Sequence, residues 1–162
     1  MVQRLSEEER RDSALIRRSG VEGTASVLGL ENGRGRPKST LELINDIEKG
    51  LPVAALDRLT DLLAPDDADF RFAVVPKGTL ARRRSHPGAR LSPNESDRVA
   101  RLAKVWGLAK NVWQTNEDAR AFLFRPHPLL TGRRPIDVAL ATEIGARLVE
   151  EILGRLKFGS AA

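Results

Sequence analysis

The chain of 162 residues has no cysteine, no tyrosine, two histidines and one methionine, and aromatic residues make up only 4% of it. Without cysteine there can be no disulfide, no thiolate nucleophile and none of the sulfur ligands from which structural zinc sites are built, a composition that suits a reducing cytoplasm. The histidines, His86 and His127, lie far apart and offer no metal-ligand spacing. With so few aromatics, aliphatic side chains must fill the core. No run approaches the roughly 20 consecutive apolar residues of a membrane span, and the amino terminus, MVQRLSEEERRDS, puts three Glu where a signal sequence carries its apolar centre. The expectation is a cytoplasmic protein of one domain, or of a small domain with an appended module, off the membrane, with no metal and no cofactor.

Catalytic signatures are missing as well. There is no G-x-S-x-G, no H-E-x-x-H and no phosphate-cradling G-x-x-x-x-G-K-S/T. The stretch GLENGRG has the glycines of a phosphate loop but neither the preceding strand nor the following helix start that such a loop needs. No catalytic set emerges, and the chain reads as a binding protein, not an enzyme.

What the sequence does have is charge, unevenly placed. The formal net charge is +5, but residues 37–70 hold three basic and eight acidic residues, whereas 71–104 hold nine basic and two acidic ones. Between Lys77 and Arg90 lie five cations and no acid. A local excess of this kind points to a polyanion partner more strongly than the total does.

Helical signals run along most of the chain and strand signals are nearly absent, which predicts an all-α fold. Residues 1–38 carry a possible short helix from Leu5 to Arg18 and then many glycines, and read as a flexible arm. Ser39 and Glu42 have capping-box spacing before Leu41, Ile44 and Ile47, and the helix they open stops at Gly50. Pro52 begins a second helix with Leu56, Leu59, Leu62 and Leu63, and Pro65 a third across DDADFRFAV. A short basic helix over KGTLARRRS follows Val75-Pro76. Ser92 and Glu95 cap a long helix with the stripe Val99, Leu102, Ala103, Trp106, Ala109 and Trp113. Thr115 caps another, Pro135 starts a brief one, and Thr142 caps the last, with Ile144, Leu148, Val149, Ile152, Leu153 and Leu156 as its apolar face.

Three short helices near residues 52–63, 65–74 and 77–85, the last rich in arginine, have the layout of a helix-turn-helix whose final helix enters the major groove. Lys77, Thr79, Arg82 and Arg83 then lie near its leading face, and Arg84, His86 and Arg90 near the phosphates. Arginine suits both tasks because its planar fork binds a guanine edge or a phosphate bidentately. The plainer reading of ARRRS is a solvated helix end whose cations favour the macrodipole, and of His86 a solvated loop residue. Trp106 and Trp113, seven apart on one stripe, favour core or dimer packing over stacking on bases.

The carboxyl-terminal stretch adds a resemblance. Pro126, Pro128, Leu129, Gly132-Arg133, Pro135, then Thr142 with Gly145, Ala146 and Arg147, then Val149-Glu150, Leu153, Arg155 and Phe158-Gly159, fall in the order seen in the Xre/MbcA/ParS-type antitoxins, which pair with RES-domain toxins. The resemblance reaches upstream through TLARRR and RLSPNESDRVARLAKV. This sequence has Val74 where the family usually has Gly, and His127 where it commonly has Asn.

The resemblance implies a helix-turn-helix DNA-binding domain over 39–91, a long connecting helix over 92–115 and a helical toxin-binding domain over 116–162. It further implies a homodimer that represses its own operon by binding operator DNA, and a last helix and tail that occlude the nucleotide pocket of a NAD-degrading RES toxin. The candidate toxin contacts are Thr142, Arg147, Glu150, Glu151, Arg155, Phe158 and Gly159. On chemistry alone the charged members of that set are equally well read as a solvated helix face. The alternative function is a stand-alone helix-turn-helix regulator with a carboxyl-terminal dimerisation or ligand domain.

Overall fold

The computed structural model describes residues 20–159. Among them are nine α-helices: α1 (Gly20–Val27), α2 (Thr40–Lys49), α3 (Val53–Leu63), α4 (Phe70–Val74), α5 (Lys77–Arg84), α6 (Pro93–Val112), α7 (Asn116–Phe124), α8 (Pro135–Ala141) and α9 (Glu143–Phe158), with one 3₁₀ turn at Pro128–Leu130. The described residues contain no strand beyond two isolated bridges, so the fold is all-α.

The helix starts are set by hydrogen bonds to otherwise unpartnered amides. Ser39 Oγ accepts from the Glu42 N–H while the Glu42 carboxylate accepts from the Ser39 N–H, and Ser92 and Glu95 repeat the arrangement at α6. Thr115 Oγ1 accepts from the Asp118 N–H and Thr142 Oγ1 from the Gly145 N–H, at 3.1 and 2.9 Å. All four capping signals of the sequence therefore operate. Two starts differ from expectation. Pro52 precedes α3 as its cap instead of being its first residue. Pro65 opens no helix: the Asp67 carboxylate accepts from the Asp69 N–H at 3.0 Å, a local turn that competes with helix until Phe70.

One core runs from Ala25 to Leu153, and α6 is its axis. Val99, Leu102, Ala103, Trp106 and Ala109 are buried along it, and α1, α2, α3, α4, α7, α8 and α9 all pack against it. The helix expected to connect two modules is thus the element both are built on. Trp113 ends α6 half-buried and stacks on Phe122 at 4.4 Å, so the two tryptophans pack within the chain.

The expected arm also needs correction. Ala25, Val27, Leu28 and Leu30 are buried, the Arg58 guanidinium donates to the Val27 carbonyl at 3.0 Å, and the Lys38 N–H donates to the Leu30 carbonyl. Residues 24–38 are therefore part of the globule, because the apolar run around SVLGL has a core to enter. The possible helix from Leu5 to Arg18 lies outside the described residues.

Tight contacts hold the elements in register. The Leu51 N–H donates to the buried Ser96 Oγ at 2.8 Å, tying the α2–α3 turn to α6. Gly50 has φ +90°, and a Cβ there would stand 2.1 Å from the Leu91 carbonyl oxygen. Gly145 lets α9 fold back on α8, since a Cβ there would stand 2.1 Å from the Val138 carbonyl oxygen.

Candidate nucleic-acid and partner interfaces

The α4–α5 pair is joined through Val75 and Pro76, and Val74 and Val75 are fully buried beneath it. Arg98 of α6 fixes this turn by donating to the Val74 carbonyl at 2.7 Å. On α5 the single buried residue is Leu80, so the helix sits on the core by one anchor and presents Lys77, Gly78, Ala81 and Arg82 outward.

The six predicted DNA contacts divide into two groups. Arg83 is held by Glu95: its Nε lies 2.9 Å from Oε2, its Nη2 donates to Oε1 at 3.2 Å, and its Nη1 donates to the Arg90 carbonyl. Arg84 pairs with Asp57 of α3, which Arg71 also engages at 3.0 Å. Arg90 donates to the Gly50 carbonyl at 2.6 Å. These three arginines fasten α5 and the following loop to the rest of the domain. Thr79 is half-buried. Lys77 lies 5.4 Å from the centre of the Phe72 ring, and among the described residues neither its ammonium nor the Arg82 guanidinium pairs with a carboxylate.

Arg82 opens onto a concavity of about 270 Å³ lined also by Arg83, His86, Pro87, Gly88 and Arg90. The exposed His86 turns its Nδ1 to the Arg82 carbonyl at 3.1 Å and to Ser85 Oγ at 3.2 Å. A cationic hollow beside the exposed face of α5 is suited to a phosphate oxygen. Burial, the largest single influence on the Glu95 carboxyl, pushes its pKa up. The Ser92 N–H, Arg83 and the Ser92 hydroxyl together outweigh it and hold the pKa below the ordinary carboxylate value. Glu95 therefore stays ionised as both helix cap and anchor of Arg83.

At the other end, α9 is two-faced in a way that its apolar stripe does not disclose. Gly145, Ala146, Val149, Ile152 and Leu153 are buried, whereas Ile144 is 82% exposed, Leu148 40%, Leu156 48% and Phe158 77%. The single apolar face expected from the sequence is thus a buried arc plus an outward ridge. At 100° per residue, Ile144, Leu148, Glu151, Arg155 and Phe158 fall within one narrow sector. The rotation that puts Ile144 beside Arg155 was available in the sequence and is the signal by which the ridge could have been found.

The predicted toxin contacts fall unevenly on this helix. Arg147 pairs with Glu143 at 2.8 Å and Arg155 lies 3.8 Å from Glu151, both pairs exposed. Glu150 is bound to Lys104 of α6 at 2.7 Å and helps to fix α9 in place. Thr142 is the helix cap. Gly159 adopts a left-handed conformation, φ 63°, as α9 ends, a conformation that favours glycine. Among the described residues no group of three or more His, Asp or Glu could hold a metal ion, and no helix is long and apolar enough to cross a membrane.

A helix-turn-helix with an exposed cationic face, built on the same core as a helix with an outward apolar ridge, defines a DNA-binding protein with a partner-binding half. Comparison with known proteins agrees. Residues 42–104 match the antitoxin Xre-like helix-turn-helix domain, and residues 108–159 match the antitoxin Xre/MbcA/ParS C-terminal toxin-binding domain. An antitoxin Xre from Yersinia enterocolitica is 31% identical over 134 residues, covering 82% of this chain and 86% of its own. Similar antitoxins Xre from Pseudomonas putida and Photorhabdus laumondii are each 30% identical, over 75% and 77% of this chain and 74% and 85% of their own. The chain belongs to the Xre/MbcA/ParS antitoxin family.

Proposed function

We propose that this antitoxin neutralises a NAD-degrading RES toxin by seating the outward ridge and end of α9 over the toxin's nucleotide pocket, and that it represses its own operon, as a homodimer in the cytoplasm, through α5 and the loop after it. The observation that carries the reading is the ridge: Ile144 and Phe158 are large apolar side chains left 82% and 77% exposed at opposite ends of a well-packed helix. Large apolar side chains left exposed along one face of a packed helix mark an interaction surface. Glu151 and Arg155 lie within the ridge between its apolar ends and Arg147 beside it, and these charged groups can occupy hydrogen-bonding positions that a dinucleotide would use.

On the DNA side, Lys77 and Arg82 are the cations free to leave the protein surface for a phosphate or a base edge, and the Arg82–Arg90 hollow receives a phosphate. Arg83, Arg84 and Arg90 act mainly by holding α5 at its angle. The test is co-expression with the protein encoded by the adjacent gene. Full-length antitoxin should rescue growth, and a chain ending before Glu150 should not, whereas rescue by the truncated chain refutes occlusion by α9. If the neighbouring gene encodes no RES-type toxin and operator binding is intact, the stand-alone regulator is the right reading.

A further inference from the structure

A second flank of α9, turned away from the ridge through Arg147, meets the amino-terminal half of the chain. There a groove of about 340 Å³ runs between four helices, to which α1 contributes Thr24, α2 contributes Ile44 and Ile47, α6 contributes Arg101 and Lys104, and α9 contributes Ala146 and Arg147. On its α2 side the apolar surface continues outward, since Ile44 is 44% exposed and Leu41, one helical turn earlier, 73%. These two residues share a face of α2 opposite in role to Leu43, which is buried. The charged groups that line it have counter-charges, Lys104 with Glu150, Arg101 through Nη2 with Asp97 and Arg147 with Glu143, while Arg101 Nε is buried without a hydrogen-bond partner. An apolar side chain can therefore enter the groove without leaving a buried charge unpaired.

We infer that the toxin-contact surface crosses from α9 onto α2, so that an apolar side chain of the toxin fills the groove and Leu41 and Ile44 belong to the toxin interface. The occupant is identified by continuity. The α9 wall of the groove lies inside residues 108–159, the toxin-binding domain by family, and on the same helix as the exposed Ile144 and Leu148. A toxin covering that helix meets α2 as well. Because α2 lies largely within the match to the helix-turn-helix domain and packs on α6, the toxin then grips both parts of the one core, not an appended module alone. This inference rests on the proposed antitoxin function and adds α2 to its contact surface.

The experiment measures binding of the full-length antitoxin to the toxin encoded beside it by biolayer interferometry, with three antitoxins: wild type, Leu41→Glu with Ile44→Glu, and Ile144→Glu with Phe158→Ala. Both pairs lie at exposed positions, and the milder Leu41→Ala with Ile44→Ala guards against misfolding, checked by thermal melting. The inference expects the α2 glutamate pair to weaken toxin binding more than tenfold and the alanine pair several-fold, with melting unchanged. Wild-type affinity in the α2 variants with loss in the α9 variant overturns the inference and leaves the antitoxin reading standing. Loss of self-association in the α2 variants, with toxin affinity intact, also overturns it by assigning the groove to a second copy. Absence of binding by the wild type overturns the underlying reading itself.

Discussion

Replacing Lys77 and Arg82 together by alanine removes the two cations of α5 that pair with no carboxylate among the described residues, without disturbing Leu80, the helix's one buried anchor. If each meets a phosphate, each contributes about −0.9 to the log–log dependence of operator affinity on salt, so the double variant should lose about 1.8 of that slope. Over the fourfold range from about 50 to 200 mM salt this amounts to roughly twelve-fold less weakening of binding than in the wild type. Arg83→Ala should behave differently. Its guanidinium lies against Glu95, whose side chain is 14% exposed, and it also holds the Arg90 carbonyl. Removing it leaves a largely buried carboxylate short of a partner, at a cost of about 1–2 kcal/mol, well short of a fully buried pair. For a protein of this size that corresponds to a fall in melting temperature of about 3–6 °C. The assay is fluorescence anisotropy with a labelled operator duplex across the salt range, with melting followed by circular dichroism. An unchanged slope in the double variant, or a reduced slope with unchanged melting in Arg83→Ala, refutes the division of the arginines into contacting and anchoring groups.

Three further outcomes follow from the packing and the charges. Gly145→Ala should lower melting by several degrees and reduce toxin binding with it, because the new Cβ meets the Val138 carbonyl oxygen and forces α9 off α8. Ser96→Ala should cost about 1–3 kcal/mol in a denaturant titration, since it leaves the buried Leu51 N–H without its acceptor. The Glu95 carboxyl is held below its ordinary value of 4.5, so the stability it confers is fully present above that pH and is lost as pH falls through the lower folded-state value. Glu95→Gln should therefore melt lower at neutral pH and lose less stability than the wild type on acidification below 4.5. A variant whose acid sensitivity equals that of the wild type would contradict that assignment.

Much of the architecture was legible because helix starts depend on residues three apart. Ser39 with Glu42, Ser92 with Glu95, Thr115 with Asp118 and Thr142 with Gly145 are local pairs, and each makes the bond its spacing suggests. Local spacing also misled at Pro65, where the Asp67 turn outcompetes a helix start. The fate of individual arginines was not legible. Whether Arg84 is free depends on Asp57 and whether Arg90 is free depends on the Gly50 carbonyl, partners 27 and 40 residues away that only the packed fold brings near. The same holds for residues 24–38, whose glycines suggest freedom while Ala25, Val27, Leu28 and Leu30 are drawn into a core built mostly by α6. On α9 the pattern is present in the sequence: a helix with apolar residues at 144, 148, 149, 152, 153 and 156 has more apolar arc than one core can cover, and the remainder faces out.

The most direct test of occlusion by α9 is NAD consumption by the purified toxin in the presence of equimolar antitoxin. Wild-type antitoxin should suppress it almost completely, and the Ile144→Glu, Phe158→Ala variant should leave most of the activity, with an unchanged melting temperature and unchanged operator binding. Full suppression by that folded variant would contradict the account, because the outward ridge of α9 would then take no part in silencing the toxin.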